Sequence, residues 1–415
     1  MLELSGPIIA SLEITDKCSY GNCPNCPKGF ESTGGEPLSV TGWEKVINTL
    51  DEYVQEYRVT GGEPVEHPHF FDILAVLEKT NKFYHIFTNG MWKNTDEILE
   101  GLMKCAHVNT ITFSLHGHDA KTHNAFTGGE GEESFDLLLE NLKMAYAAGH
   151  NVNTNTVLTK KNIEHIEDIA NLAMDLGARY SIFSRYIGPE REDISITSDE
   201  LKKACEKVQE LESLGFNVMT GNCIPHCHFP SSSSGCFAGI TYATIDPHGN
   251  MRPCDHSKVV AGNISSDNIK KVWRSDVMKK WRERIPKICR KCSKISVCPG
   301  GCKVVVDLTG KPMDPLIGQP VNKPERPPVL EVTLEEDLCP TARYITRTED
   351  FGWVLIRGTQ VIPVNRRAEK ILKLLDGKTT LKMIHKKAGD GALSFIYSLY
   401  VRNFIEFRTL SEDEV

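Results

Sequence analysis

Short apolar runs alternate with amphipathic stretches over the first half of the chain. Between the apolar runs, apolar residues recur at helical spacing, as at positions 163, 166, 169, 172, 173 and 176. Strand–helix units of about thirty residues favour right-handed crossovers and a parallel sheet. The pattern predicts strands over 8–14, 57–60, 83–87, 109–114, 151–158 and 179–185, and helices over 42–53, 70–79, 95–104, 135–148 and 163–176.

Six such units are too few for a closed eight-stranded barrel. The pattern therefore predicts an α/β fold with an open, partial (β/α)6 barrel. In parallel sheets of this kind, ligands bind at the carboxyl ends of the strands.

The second half of the chain has a different character. A predicted helix over 198–214 leads to residues 222–302, which contain eight of the fourteen cysteines. Residues 308–328 contain six prolines and are expected to form an extended linker. A hairpin pattern, 352–356 and 360–364, is followed by three helical stretches. We expect three domains, over 1–215, 216–330 and 331–415.

Charge and composition exclude several classes of protein. The net charge of −7 argues against nucleic-acid binding, which needs a basic surface. Neither an apolar run of membrane-spanning length nor a signal-peptide pattern is present, so we expect a cytoplasmic protein with no membrane partner. In that setting, fourteen cysteines indicate metal binding rather than disulfides.

Three cysteines, Cys18, Cys23 and Cys26, follow the first predicted strand with the spacing C-x4-C-x2-C. Three thiolates hold three irons of a [4Fe–4S] cluster and leave the fourth iron open. A structural zinc site is the alternative, but it prefers four ligands. The second predicted strand ends in Gly61-Gly62-Glu63-Pro64. This combination resembles the radical S-adenosylmethionine (radical SAM) superfamily.

The resemblance implies a reaction and a set of binding residues. The open iron chelates the amine and carboxylate of SAM, and the loop of Gly61, Gly62 and Glu63 holds the same amine. A reductant such as flavodoxin or ferredoxin supplies an electron, and SAM is cleaved to methionine and a 5′-deoxyadenosyl radical. Further SAM contacts are expected at the ends of later predicted strands: Asn89, Ser114 and Arg185.

The later cysteines have a second recognisable spacing. Cys236 is followed by Gly249-x4-Cys254, and then by C-x2-C-x5-C-x3-C over 289–302. This pattern is similar to the SPASM extension of radical SAM enzymes, which binds two auxiliary clusters. The resemblance assigns one cluster to Cys236, Cys254 and Cys302, and the other to Cys289, Cys292 and Cys298.

The fourth ligand of each auxiliary cluster is left open by the sequence. For the first cluster, either Cys223 or Cys227 is available, and the other thiol is surplus. The surplus thiol either donates a hydrogen atom in catalysis, ligates iron transiently or is simply buried. For the second cluster we expect Cys339, with Asp314 or an open site as alternatives. The expected cofactors are SAM and three [4Fe–4S] clusters.

The C-terminal segment closely resembles the PqqD-like, winged-helix domain that recognises precursor peptides. An exposed hairpin edge can accept an extended peptide as an added strand. Together the resemblances imply a maturase that binds the leader of a ribosomally made precursor peptide and abstracts a hydrogen atom from its core. The product is a crosslink, a thioether or an excised backbone. The alternatives are a peptide epimerase, a maturase of folded proteins like the anaerobic sulfatase maturases, and a non-catalytic peptide-binding partner.

Overall fold

The chain divides into two compact units, Gly6–Lys323 and a smaller unit formed by Met1–Ser5 with Pro324–Val415. The computed structural model describes residues 3–19, 23, 26, 37–129, 131, 133–221, 223–232, 235–321, 335–358 and 360–409. Among these residues, no helix combines the length and the apolar character needed to cross a membrane.

The large unit is built on one ten-stranded sheet. Seven parallel strands lie side by side in chain order, and they include the six that were predicted. These strands are β1 Ile9–Glu13, β2 Glu56–Thr60, β3 Tyr84–Thr88, β4 Val108–Ser114, β5 Val152–Leu158, β6 Tyr180–Arg185 and β7 Val218–Thr220. The predicted mixed α/β architecture with a parallel sheet is confirmed.

Three further strands extend the sheet beyond β1. Strand β8 (Tyr242–Ile245) pairs parallel to β1 and so returns the chain to the middle of the sheet. Strand β9 (Asn250–Arg252) then pairs antiparallel to β8, and β10 (Gly262–Asn263) pairs antiparallel to β9. Because of this pairing, the cysteine-rich region starts beside the strand that leads to the first cysteine loop.

Helices cover the sheet and bury one apolar face each. Trp43 of the first helix and Phe113 and Phe183 of the sheet are fully buried in one continuous core. The predicted helix over 163–176 begins with a 3₁₀ turn, Ile163–His165. The helices are α1 Val40–Asp51, α2 Phe70–Glu78, α3 Thr95–Leu102, α4 Ala120–Thr127, α5 Glu133–Ala147, α6 Ile166–Asp175, α7 Ser198–Ser213, α8 Ile269–Trp273, α9 Asp276–Glu283 and α10 Lys303–Thr309.

Residues 308–321, the described part of the expected linker, fold against the rest of the large unit through buried side chains. Helix α10 ends at Gly310 in a left-handed conformation, and the chain then folds back. Asp314 is fully buried and Leu316 is nearly so. The proline content therefore gave a wrong prediction for 308–321, because the acidic side chain among the prolines has buried partners. Residues 322–328 lie outside the described residues.

The small unit has its own core and two small sheets. Its three-stranded antiparallel sheet, in the order β12–β13–β14, contains the predicted hairpin. Buried Leu355, Ile384 and Ile396 pack its helices on that sheet. The elements are β11 Cys339–Ala342, β12 Ile345–Glu349, β13 Gly352–Arg357, β14 Gln360–Asn365, α11 Glu369–Leu372, α12 Leu381–Ala388, α13 Asp390–Tyr400 and β15 Ile405–Arg408, the last pairing with β11.

Candidate active site and metal centres

The three cysteines of the first loop lie together at the carboxyl end of β1. The Cys26 amide donates a hydrogen bond to the Cys23 carbonyl oxygen at 3.0 Å. Burial raises the pKa of the Cys23 thiol to about 12, and the neighbouring Cys26 and Cys18 add to this effect. Thiols crowded in this way ionise readily only when a cation joins them, so the donor set fits a metal cluster.

The Gly61-Gly62 turn is pressed against the backbone that enters this loop. A Cβ on Gly61, whose φ is +146°, would lie 2.3 Å from the Thr15 carbonyl oxygen, and one on Gly62 would lie 1.9 Å from that of Lys17. The Gly62 amide donates to Thr15 at 2.6 Å, and the Glu63 amide donates to Lys17 at 2.7 Å. Only glycine permits this approach. The turn after β2 and the cysteine loop therefore form one structure.

Glu63 joins this structure to the end of β3. Its buried carboxylate accepts hydrogen bonds from the Thr88 hydroxyl and from the Asn89 amide, both at 2.7 Å. Burial raises the pKa of Glu63 to about 7, although these hydrogen bonds oppose the shift. The Asn89 amide nitrogen Nδ2 lies 3.7 Å from Cys18 Sγ. Gly61, Gly62, Glu63 and Asn89 are thus assembled around the three thiols.

Ser114 and Arg185, the other two expected SAM contacts, end β4 and β6. Ser114 lies level with Asn155 of β5, whose Oδ1 accepts a hydrogen bond from Ser184 at 2.7 Å. Arg185 has a different set of partners. Its guanidinium is almost fully buried, donates to Asp314 at 2.7 Å, and also donates to the Cys223 carbonyl oxygen at 2.9 Å. It therefore links the sheet to the cysteine-rich region.

Four cysteines, Cys223, Cys236, Cys254 and Cys302, form a first auxiliary set in one buried cluster of side chains. The Cys223 thiol donates hydrogen bonds to Cys236 and Cys302, which raises the pKa of Cys223 and lowers the pKa of each acceptor. Burial raises the pKa of Cys254, and the charges of Cys236 and Cys302 reinforce this effect. This is the donor set of a fully ligated cluster.

A buried lysine lies beside this first auxiliary set. Lys303 is 2% exposed, and its Nζ has no hydrogen-bond partner among the described residues. It lies 5.8 Å from the centre of the Trp281 ring, and its charge acts to lower the pKa of Cys236. A buried ammonium is costly unless a negative charge compensates it. The net negative charge of a thiolate-ligated cluster would provide that compensation.

A second set of four, Cys227, Cys289, Cys292 and Cys298, lines one cavity. The Gly318 amide donates a hydrogen bond to Cys227 Sγ at 3.3 Å. Burial raises the pKa of Cys227, and it raises the pKa of Cys289 to about 11, with the other three thiols of the set contributing. Ile317, Gly318 and Pro320 close the cavity, so part of the expected linker belongs to this site.

The local backbone conformation places cysteines that are close in sequence in different sets. Cys223 has a left-handed φ of +71°, and Cys227 lies four residues later within a turn over 226–228. Between Cys298 and Cys302, Gly300 and Gly301 have φ values of +98° and +75°. A Cβ on Gly301 would lie 2.7 Å from Asp314 Cβ. Glycine is thus needed where the chain crosses from the second set to the first.

This placement differs from the expectation that one of the two upstream thiols is surplus. Cys223 lies with the first set and Cys227 with the second, so each set has four thiols. Asp314 accepts from Arg185 and from the Cys302 amide at 2.7 Å, which explains its burial. Cys339 begins β11 of the small unit, where its Sγ lies 3.8 Å from the Asp337 carbonyl oxygen. Its role as a ligand stays a prediction.

Sequence reasoning missed three residues of these sites. Thr88 directly precedes Asn89, and Lys303 directly follows Cys302, so proximity to a motif was the available signal. Asn155 is one of two partly exposed asparagines that alternate with buried threonines in β5. That alternation marks a strand with one polar face. The Arg185–Asp314 pair carried no signal, because 129 residues separate its partners.

Comparison with known proteins agrees with this geometry. The radical SAM superfamily model matches residues 12–173, and the SPASM iron–sulfur cluster-binding domain model matches residues 236–293. Mycofactocin maturase MftC of Mycobacterium tuberculosis is 28% identical over 329 residues, covering 75% of this chain and 82% of the relative. The AdoMet-dependent heme synthase of Methanosarcina barkeri is 25% identical over 325 residues, covering 71% of this chain and 91% of the relative.

A solved structure shares the fold. Streptococcus suis SuiB bound to precursor peptide SuiA superimposes with a TM-score of 0.65 at 20% identity, over 76% of each chain. The chain thus contains a radical SAM domain and a SPASM domain, and it is a radical SAM iron–sulfur enzyme. The matched SPASM range contains Cys236, Cys254, Cys289 and Cys292, which the structure divides between the two sets of four.

Proposed function

We propose that this radical SAM enzyme oxidatively modifies a ribosomally synthesised precursor peptide. The observation that carries the proposal is the arrangement of the cysteines: one loop of three thiols, and two auxiliary sets of four. Three clusters would be held in this way, and when bound the first supplies an electron to SAM while the other two supply electron transfer. The peptide maturases among the relatives support the substrate class.

The residues around the first loop would bind and orient SAM. The turn at Gly61 and Gly62 brings backbone carbonyl groups close to the cysteine loop, where they can accept hydrogen bonds from an ammonium group. Glu63 places a carboxylate beside them, and a neighbouring cation would favour its ionised form. Asn89 lies between this carboxylate and Cys18. Ser114 and Asn155 offer polar groups at the same edge of the sheet.

The auxiliary sets support an oxidative product. A cluster with four cysteine ligands has no open iron for a substrate, so its available role is to accept or transfer an electron. An epimerase needs only a hydrogen-atom donor, and the two thiols that were candidates for that role lie within the sets of four. A crosslink, a thioether or a backbone excision releases an electron that such clusters can accept.

We propose that the small unit captures the leader of the precursor. Its winged-helix character rests on the β12–β13–β14 sheet and the three helices that pack on it. Strand β14 pairs with β13 alone among the described strands, so its other edge has backbone groups for an added peptide strand. A flavodoxin or ferredoxin would supply the electrons, as the sequence predicts.

The test is turnover of a precursor encoded by a short reading frame beside the gene. In deuterated water, a crosslink or a thioether loses two hydrogen atoms and gains no deuterium at carbon, and backbone excision loses the mass of the excised fragment. An epimer loses neither and exchanges one carbon-bound hydrogen for deuterium. Leader capture predicts a Kd on the order of 1 µM, and cleavage of SAM that persists when the leader is removed. A mass-neutral, deuterated product would contradict the oxidative assignment.

One relative is a heme synthase, so a small-molecule substrate is the alternative to a precursor peptide. If the substrate is a small molecule, removal of the edge of β14 should leave turnover unchanged. The hairpin pairs Arg357 with Gln360, so by antiparallel alternation the Val361 amide faces away from β13. Val361→Pro removes this outward-facing donor, and Pro363 already lacks one. An unchanged Kd for the leader in the Val361→Pro variant, with the fold verified by circular dichroism, would overturn strand addition at this edge.

A further inference from the structure

Two imidazoles and a carboxylate meet outside the thiol sites. His118, His165 and Asp168 each place one potential ligand atom so that all three atoms lie within 4.8 Å of one another. The two imidazole ring centres are 4.3 Å apart. His165 Nδ1 lies 3.1 Å from Asp168 Oδ2. Imidazole and carboxylate together are ligands that zinc and related divalent ions prefer.

The backbone that carries these side chains is held in place by a buried asparagine. His118 follows β4, and His165 follows β5 at the start of α6. Asn162 is fully buried and donates through Nδ2 to the carbonyl oxygens of His116 and Val157, both at 2.9 Å. The loops after β4 and β5 are therefore fixed to each other. The arrangement of the three side chains follows from the fold rather than from one surface helix.

The local charges and hydrogen bonds favour a cation at this position. His118 Nδ1 is shielded from solvent and has no hydrogen-bond partner in the described ranges. On its other side, His118 Nε2 lies 3.6 Å from Asp119 Oδ2. Asp119 and Asp168 place two carboxylates beside the imidazoles, although Asp119 Oδ1 also accepts a hydrogen bond from the Thr122 amide at 2.7 Å. A divalent cation would attract both carboxylates and would give His118 Nδ1 a partner that the described residues do not provide.

We propose that His118, His165 and Asp168 bind a divalent transition-metal ion of the zinc class, separate from the iron–sulfur sites. The ion would join the loops after β4 and β5 at the edge of the sheet where SAM binds. Metal–ligand bonds of about 2.0–2.2 Å require the three atoms to move closer together. The side chains are 27%, 40% and 55% exposed, so rotation about their own bonds can bring this about.

The chain offers a matched control for this site. His69 and Asp72 have the same i,i+3 spacing, with Nδ1 and Oδ2 2.9 Å apart, and both are exposed. Among the described residues, no third donor completes a metal-binding group around them. A simple histidine–aspartate ion pair should bind zinc equally at both places, whereas the proposed site needs the second imidazole.

The experiment uses the cluster-loaded protein under anaerobic conditions, dialysed against micromolar zinc, with zinc and iron measured by mass spectrometry. We expect His165→Ala and His118→Ala to weaken the affinity for one zinc ion at least tenfold. Asp168→Asn, which is conservative and exposed, should weaken it severalfold, and His69→Ala should not change it. Iron content should be equal in all variants, which excludes displacement of iron from the thiols.

Thermal unfolding provides the second measurement. Zinc should raise the melting temperature of the parent protein and of His69→Ala, and it should not raise that of His165→Ala. Equal zinc affinity in the parent, His165→Ala and Asp168→Asn would overturn the proposal. An equal loss of affinity in His69→Ala would overturn it too, because the second imidazole would then have no role.

Discussion

The first cysteine loop and the auxiliary region use the same ligand for different purposes. The loop has three thiols, with the Gly61-Gly62 turn against its entering backbone and Asn89 beside Cys18. Each auxiliary set has four thiols instead. A cluster bound in the loop would keep one iron open for a small molecule, whereas a cluster bound by four thiols would have no open iron. The number of thiols decides whether a site binds a ligand or only transfers electrons.

The charged side chains near the cysteine loop also differ from those near the auxiliary sets. The loop has a buried acid, Glu63, whose pKa is raised by burial. The first auxiliary set has Lys303 and the Arg185–Asp314 pair beside it. The carboxylate of Glu63 would thus favour a positively charged ligand at the loop. The positive charge of Lys303 would favour a negatively charged cluster at the first auxiliary set.

The largest expected effect comes from removing the loop thiols. The Cys18/Cys23/Cys26→Ala variant should lose about four irons per chain and all cleavage of SAM, because the open iron is lost. Auxiliary iron should remain, as determined by iron analysis and electron paramagnetic resonance (EPR). Cys105→Ala, on a thiol outside the three sets, is the control. Retained SAM cleavage in the triple variant would refute the assignment of the loop.

Removing one auxiliary thiol should separate SAM cleavage from product formation. Cys227→Ala should lose up to about four irons and the modified peptide, while SAM is still cleaved. Cys339→Ala should keep its iron and its product, because Cys227 already completes the second set of four. The reverse result, with iron lost from Cys339→Ala alone, would restore the ligand expected from the sequence.

The fold and the first loop could be predicted from sequence because their signals are local. Strand–helix alternation located six strands, and contiguous motifs located Gly61, Gly62 and Glu63 beside the cysteines. The auxiliary partners could not be predicted in the same way. Cys223 and Cys227 are four residues apart and enter different sets, and the left-handed backbone at Cys223 and the turn over 226–228 lie in this short segment. The burial of Asp314 likewise depends on a partner from a distant strand.

The buried ion pair should contribute strongly to the stability of the large unit. Asp314→Asn leaves the charge of Arg185 buried without its partner, and we expect a loss of about 3–5 kcal/mol in the free energy of unfolding. Asp193→Asn, in an exposed pair with Arg191, should cost much less, because solvent screens that pair. Denaturant unfolding of both variants measures the difference. Equal losses would show that burial of the Arg185–Asp314 pair has no special effect.

A smaller effect is expected from the lysine beside the first auxiliary set. Lys303→Met removes a buried positive charge, so the reduced form of the adjacent cluster is less stabilised. Its midpoint potential should fall by on the order of 50–100 mV. Lys311→Met removes an exposed charge and should leave the potential unchanged. Redox titration followed by EPR distinguishes them, and an unchanged potential in Lys303→Met would contradict the proposed charge compensation.

The most direct test is Mössbauer and EPR spectroscopy of the iron-loaded protein with and without SAM. We expect about twelve irons in three [4Fe–4S] clusters. SAM should change the spectroscopic signal of one of these clusters. In Cys227→Ala, that SAM-sensitive signal should remain while another cluster is lost. A protein that holds zinc and no inorganic sulfide, or one in which SAM perturbs an auxiliary cluster, would contradict the division into one open and two closed sites.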